Sequence, residues 1–72
     1  MQKSEQNMQI TVNGQVMSFA GGTLESLLGH LGLDQKAVVA EINGVIVAQA
    51  DFSGQELRDG DIVELVRFVG GG

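Results

Sequence analysis

The chain has 72 residues, enough for one small domain. It has no Cys and one His, which excludes disulfides, thiolate metal sites, iron–sulfur clusters, a cysteine nucleophile and a histidine-rich metal site. Nine acidic residues against four basic ones give a net charge of −5, which argues against nucleic acid or anionic membrane as partner, since both need clustered Lys or Arg.

Apolar residues make up 43% of the chain and charged residues 18%, a globular balance. A domain this short buries only about 60% of the surface its unfolded chain exposes, so its core is modest. No apolar run approaches the roughly 20 residues of a membrane span. Residues 1–7 carry no apolar stretch of the signal-peptide kind and read as a disordered leader, so a cytoplasmic monomer is expected.

Met8, Ile10 and Val12 alternate with Gln9, Thr11 and Asn13, the period of a half-buried strand. Asn13-Gly14 tolerates positive φ at both central positions of a type I′ turn, so Gln15–Phe19 is the returning strand of a hairpin. Gly21-Gly22 breaks that strand, and Thr23 is a suitable N-cap. Leu24, Leu27, Leu28 and Leu31 then form one apolar stripe at helical spacing, with Gly32 placed to stop the helix. Gly29 inside it costs about 1 kcal/mol relative to Ala, so close packing or chance must explain it.

Ala37–Ile42 reads as a strand, and Asn43-Gly44 repeats the hairpin signal before Val45-Ile46-Val47. Asp51–Gly54 looks like a turn or single 3₁₀ turn with Phe52 tucked inward. Asp59-Gly60 makes another turn, and Asp61–Val69 is the longest strand candidate. Its apolar residues occupy both faces, Val63 and Leu65 on one and Val66 and Phe68 on the other, as in a central strand. The expected class is α+β: a mixed sheet of four to five strands, one main helix across one face, and the last strand parallel to the first.

No self-sufficient active site is visible. His30 suits a helix C-terminus, where the dipole favours its charged form, and no nucleophile accompanies it. Gly21-Gly22-Thr23 lacks the Lys of a phosphate-binding loop. Asp59 and Asp61 flank a turn and read as solvated. The end of the chain is different: after Phe68-Val69 come Gly70, Gly71 and Gly72 and a carboxylate. A side-chain-free arm can thread into a narrow channel of another protein, whereas a Cβ would meet its walls. A frayed end reads the same way from these residues alone.

The order hairpin, helix, hairpin, strand, closed by Gly-Gly, resembles the ubiquitin-like β-grasp sulfur carriers, within them the ThiS family of thiamine biosynthesis. The resemblance covers about residues 8–72. It rests on Met8-Gln-Ile-Thr-Val-Asn-Gly14, the Thr23–Leu33 stretch, Val39-Ala-Glu-Ile-Asn-Gly44 and, most specifically, the run from Leu57 to Gly72.

The resemblance implies that the chain is a protein co-substrate rather than an enzyme. It implies adenylation of Gly72 by an E1-like, ThiF-type adenylyltransferase that uses ATP and Mg, the carrier itself binding no cofactor and no metal. A persulfide relayed from a cysteine desulfurase then displaces AMP. The resulting thiocarboxylate feeds a ThiG-type thiazole synthase. Gly71 is the position that must stay slender, and Gly70 extends the arm.

Phe68 and Val66 would form an apolar docking patch if they face away from the helix, and core burial is the alternative. Arg67 could pair with Glu64 or with a partner's acid. The acids Glu41, Glu56, Asp59, Asp61 and Glu64 could steer a basic partner or serve solubility alone. Molybdopterin synthase small subunit, ubiquitin-like modifier and passive interaction domain remain as rival readings.

Overall fold

In the computed structural model residues 7–68 are described. The expected leader over residues 1–7 therefore falls outside them except for Asn7, and the expected glycine tail, Gly70–Gly72, lies wholly outside. Strand β1 (Met8–Val12) turns into β2 (Gln15–Phe19), and helix α1 (Leu24–Leu31) follows. Then come a short 3₁₀ turn (Gln35–Ala37), β3 (Val38–Ile42), β4 (Val45–Val47), a second 3₁₀ turn (Gln49–Gly54) and β5 (Ile62–Arg67). The five strands form one sheet in the order β2-β1-β5-β3-β4. β5 is central, parallel to β1 and antiparallel to β3. This is the mixed sheet with one main helix that the pattern predicts.

The two Asn-Gly dipeptides close the hairpins for the reason expected. Asn13 and Gly14 have φ of 49° and 84°, and Asn43 and Gly44 have 52° and 85°. Positive φ at both central positions is the type I′ geometry, whose twist matches that of the strands it joins.

The helix begins at Thr23, whose Oγ1 accepts the Ser26 N–H at 3.2 Å, and ends at Gly32 in the left-handed region. Its start is tied to the chain ahead of β5: the Leu24 N–H donates to Gln55 O at 2.8 Å, and the Leu57 N–H to Gly22 O at 3.0 Å. Leu24, Leu27 and Leu28 are buried against Ile10, Val38, Ala40, Val63 and Leu65 of the sheet and against Phe52 and Leu57. Phe52, only 1% exposed, fills the core from its 3₁₀ turn as expected.

Three expectations need correction. Leu31 closes the apolar stripe in sequence, yet it remains 37% exposed on the last helical turn. The third strand starts one residue late, because Asp34 Oδ1 accepts the Lys36 N–H at 2.9 Å and winds Gln35–Ala37 into 3₁₀. The last strand is shorter than Asp61–Val69: it runs from Ile62 to Arg67, and Val69 lies outside the described residues.

Gly29 is exposed, and a Cβ built on it meets nothing within 4 Å. Packing does not require this glycine. Gly29→Ala should therefore raise stability by about 0.5–1 kcal/mol in a urea titration, from helix propensity alone. A loss of stability would show that the position is crowded after all.

Candidate functional site

The site is built on the end of β5 and the sheet face that the helix leaves open. Along β5, Val63 and Leu65 are buried while Ile62, Glu64 and Val66 are exposed, the alternation of a strand covered on one side only. Val66 is 61% exposed and Phe68 50%. The Phe68 N–H donates to Ala37 O at 3.0 Å, carrying the β3 ladder one residue past the strand. Lying two positions after Val66, Phe68 takes the same open face. Of the two readings of this pair, the structure selects the exposed patch over core burial.

Arg67 does not belong with them. It falls on the other side of the strand, opposite Val38 in the β3 register. Glu64 and Arg67 stand three positions apart and so project to opposite faces, which excludes the pairing considered between them. Of the three docking candidates, the fold brings together Val66 and Phe68 only. Gly70, Gly71 and Gly72 lie outside the described residues.

The register shows what else shares that face. Val39 stands opposite Val66, Glu41 opposite Glu64, and Ile46 opposite Glu41 on the next strand. On the other flank Thr11 stands opposite both Ile62 and Val16. The open face is thus an apolar field of Val16, Val39, Ile46, Ile62, Val66 and Phe68, crossed by one row of two carboxylates. Like charges directly opposite each other are unfavourable for the sheet itself. Among the described residues no Lys or Arg occupies a strand position on this face. The face therefore suits a protein surface that brings a cation among apolar groups.

Sequence reading found Val66 and Phe68 but missed Val39, Ile46 and Ile62. Their alternation was visible, but their place beside β5 depends on pairing order.

Elsewhere the chemistry is sparse. His30 is exposed at the end of α1, its ring edge-on to Phe19 at 6.4 Å between centroids. Among the described residues no three His, Asp or Glu side chains converge as metal ligands. No described helix is long and apolar enough to cross a membrane. A polar groove of about 410 Å³ lies between Ile42-Asn43 and Gln55, Arg58 and Asp61, and an apolar one of about 380 Å³ runs between the β1–β2 turn and Leu31, Leu33 and Leu65.

Residues 6–72 match the ThiS family along nearly the whole chain. The chain belongs to the ThiS family. It is 41% identical over 51 residues to the sulfur carrier protein ThiS of Bacillus subtilis, covering 71% of this chain and 77% of that one. It is also 39% identical over 66 residues to a thiazole synthase of Paramagnetospirillum magneticum, covering 90% of this chain but only 20% of that protein's length. The crystal structure of the thiamine biosynthesis protein ThiS from Geobacter metallireducens is similar, with a TM-score of 0.77 at 33% identity over 90% of this chain and all of the other. The β-grasp fold of the ThiS family is therefore the fold of this chain.

Val66→Ser and Phe68→Ser should each change unfolding free energy by less than about 1 kcal/mol. Leu65→Ala, the neighbour on the core face, should cost about 2–5 kcal/mol. Urea titrations of the three variants check the assignment, and a large loss at Val66 or Phe68 would place them in the core.

Proposed function

We propose that the chain is a sulfur carrier of thiamine biosynthesis, a protein co-substrate whose reacting group is the Gly72 carboxylate. The observation that carries this reading is a run of three glycines, Gly70 to Gly72, that begins three positions after the last residue of the central strand in a ThiS-family domain. A carboxylate is a poor electrophile: its charge repels nucleophiles and oxide does not leave. Attack of the carboxylate on the α-phosphorus of ATP, with loss of pyrophosphate, turns it into an acyl adenylate with a good leaving group. An E1-like adenylyltransferase using ATP and Mg supplies that step.

A persulfide sulfur delivered by a cysteine desulfurase relay then attacks the acyl carbon and expels AMP. Cleavage of the sulfur–sulfur bond by a thiol leaves the thiocarboxylate. Sulfur is held on the terminus itself, since the chain has no thiol of its own. The likeness to proteins named thiazole synthase supports a thiazole synthase as acceptor and favours the thiamine branch over the molybdopterin one. Gly71 and Gly70 keep the arm thin enough to enter both partners' sites.

The open face of the sheet docks the partner, with Val66 and Phe68 nearest the arm. Arg67, on the opposite side of the strand, would touch only a partner that wraps around the sheet end.

Carrier-dependent ATP–pyrophosphate exchange by a ThiF-type adenylyltransferase tests the proposal. The wild-type chain should support exchange, and a chain lacking Gly71-Gly72 should support none. Val66→Asp, which places a third carboxylate in the patch, should lower kcat/KM for the carrier by about tenfold or more, a hot-spot-sized loss. Exchange that survives the tail deletion would overturn the assignment of Gly72.

A further inference from the structure

The central strand is held at its two ends by the same device. β1 reaches β5 through backbone bonds only as far as Val63: the Thr11 N–H donates to Asp61 O and the Asn13 N–H to Val63 O, both at 2.9 Å. There β1 turns away into its hairpin. The Asn13 side chain continues where the backbone stops. Its Oδ1 accepts the Leu65 N–H at 2.8 Å, and its Nδ2 donates to Leu65 O at 3.1 Å. One side-chain amide thus replaces the missing strand residue and carries the parallel ladder one step further toward the C-terminus. Among the described residues no hydrogen bond from the β1–β2 side reaches beyond Leu65.

Asn43 does the equivalent at the other end. Its N–H donates to Ile62 O at 2.7 Å, its Oδ1 accepts the Ile62 N–H at 2.9 Å, and its Nδ2 donates to Asp61 Oδ1 at 2.9 Å. The two residues share turn type, φ and an Oδ1 that accepts a β5 N–H; they differ in which end of β5 they hold and in that Asn43 bonds the paired carbonyl through its backbone N–H rather than its Nδ2.

We infer that Asn13 is a positioning residue for the group-transfer chemistry at the C-terminus: its amide clamp on Leu65 sets the point from which the strand leaves the sheet. Among the described residues beyond Leu65, support comes from β3 alone, through the Val66–Val39 and Arg67–Val38 pairs and the Phe68 bond to Ala37. A strand paired on one side twists more than one paired on both. Without the clamp, the one-sided stretch begins two residues earlier, at Val63, and the path leading to Gly72 loses a lateral restraint. An arm that starts less well directed must be ordered when it docks, so the effect falls on productive binding. The inference rests on the sulfur-carrier reading, because it takes Gly72 as the reacting end.

The symmetry of the two clamps supplies the control. Asn13→Gly and Asn43→Gly both keep a residue tolerant of positive φ, both lose the side-chain amide, and both gain the same unfolded-chain entropy. Amide hydrogen exchange should rise at Leu65 in the first and at Ile62 in the second. With a ThiF-type adenylyltransferase, Asn13→Gly should raise KM for the carrier about three- to tenfold with kcat at saturation unchanged, the size expected of one or two net hydrogen bonds. Asn43→Gly, assayed well below its Tm, should stay within about twofold of wild type by the same scale. Asn13→Asp, which keeps the acceptor for the Leu65 N–H and loses the donor, should fall between. Equal KM in the two glycine variants, or a rise only in Asn43→Gly, overturns the inference and leaves the carrier reading intact. A wild-type chain that the adenylyltransferase does not use refutes the carrier reading and this inference with it.

Discussion

β5 is the central strand, held on both sides from Ile62 to Leu65. It is hydrogen-bonded to a parallel neighbour on one side and an antiparallel one on the other, and its alternate residues Val63 and Leu65 form the floor under the helix. A chain of 72 residues with no disulfide must obtain its cooperativity from such a shared element. Both hairpins attach to β5, so neither can shift register without moving the other's partner. The turn before it joins the same assembly: Asp59 Oδ1 accepts the Gln9 N–H and Gln9 O accepts the Gly60 N–H, both at 2.7 Å.

That arrangement also bears on the proposed role of the chain as a protein co-substrate. In that proposal the central strand leads toward the glycines that would carry the reacting group. The open sheet face would then dock the partner, and Gly70–Gly72 would contribute only a backbone and a carboxylate. On the same proposal the catalytic groups belong to the partners, and the carrier has to fit more than one of them in turn. A shared apolar face with a single carboxylate row meets that requirement, because apolar contact is tolerant of partner shape and charge selects which basic surfaces approach.

Much of the fold was legible because its signals are local. Asn13-Gly14 and Asn43-Gly44 specify their turns by the φ they tolerate, Thr23 and Gly32 bound the helix, and Phe52 declares itself as the one apolar residue in a polar turn. Where the reading failed, the deciding interaction was nonlocal or a matter of degree. Leu31 has the spacing of a core residue, but as the last residue of the helix it stays 37% exposed. Val39, Ile46 and Ile62 alternate correctly, yet only the order β2-β1-β5-β3-β4 gathers them beside Val66. The second role of the two asparagines was hidden because their side chains act on residues 52 and 19 positions away. For the candidate site, the last strand pointed to Val66 and Phe68 of the exposed apolar face, and the glycines lie outside the described residues.

The most direct test of the account is the intact mass of the chain after incubation with the adenylyltransferase, ATP and a sulfur source, with and without a thiol-alkylating reagent. A thiocarboxylate adds about 16 Da, which oxidation of one methionine would mimic. Alkylation separates the two, since the chain contains no Cys. The account predicts one alkylated group per chain, mapped to Gly72. An unmodified terminus, with an adenylyltransferase and sulfur source shown to be active on another carrier, would contradict it.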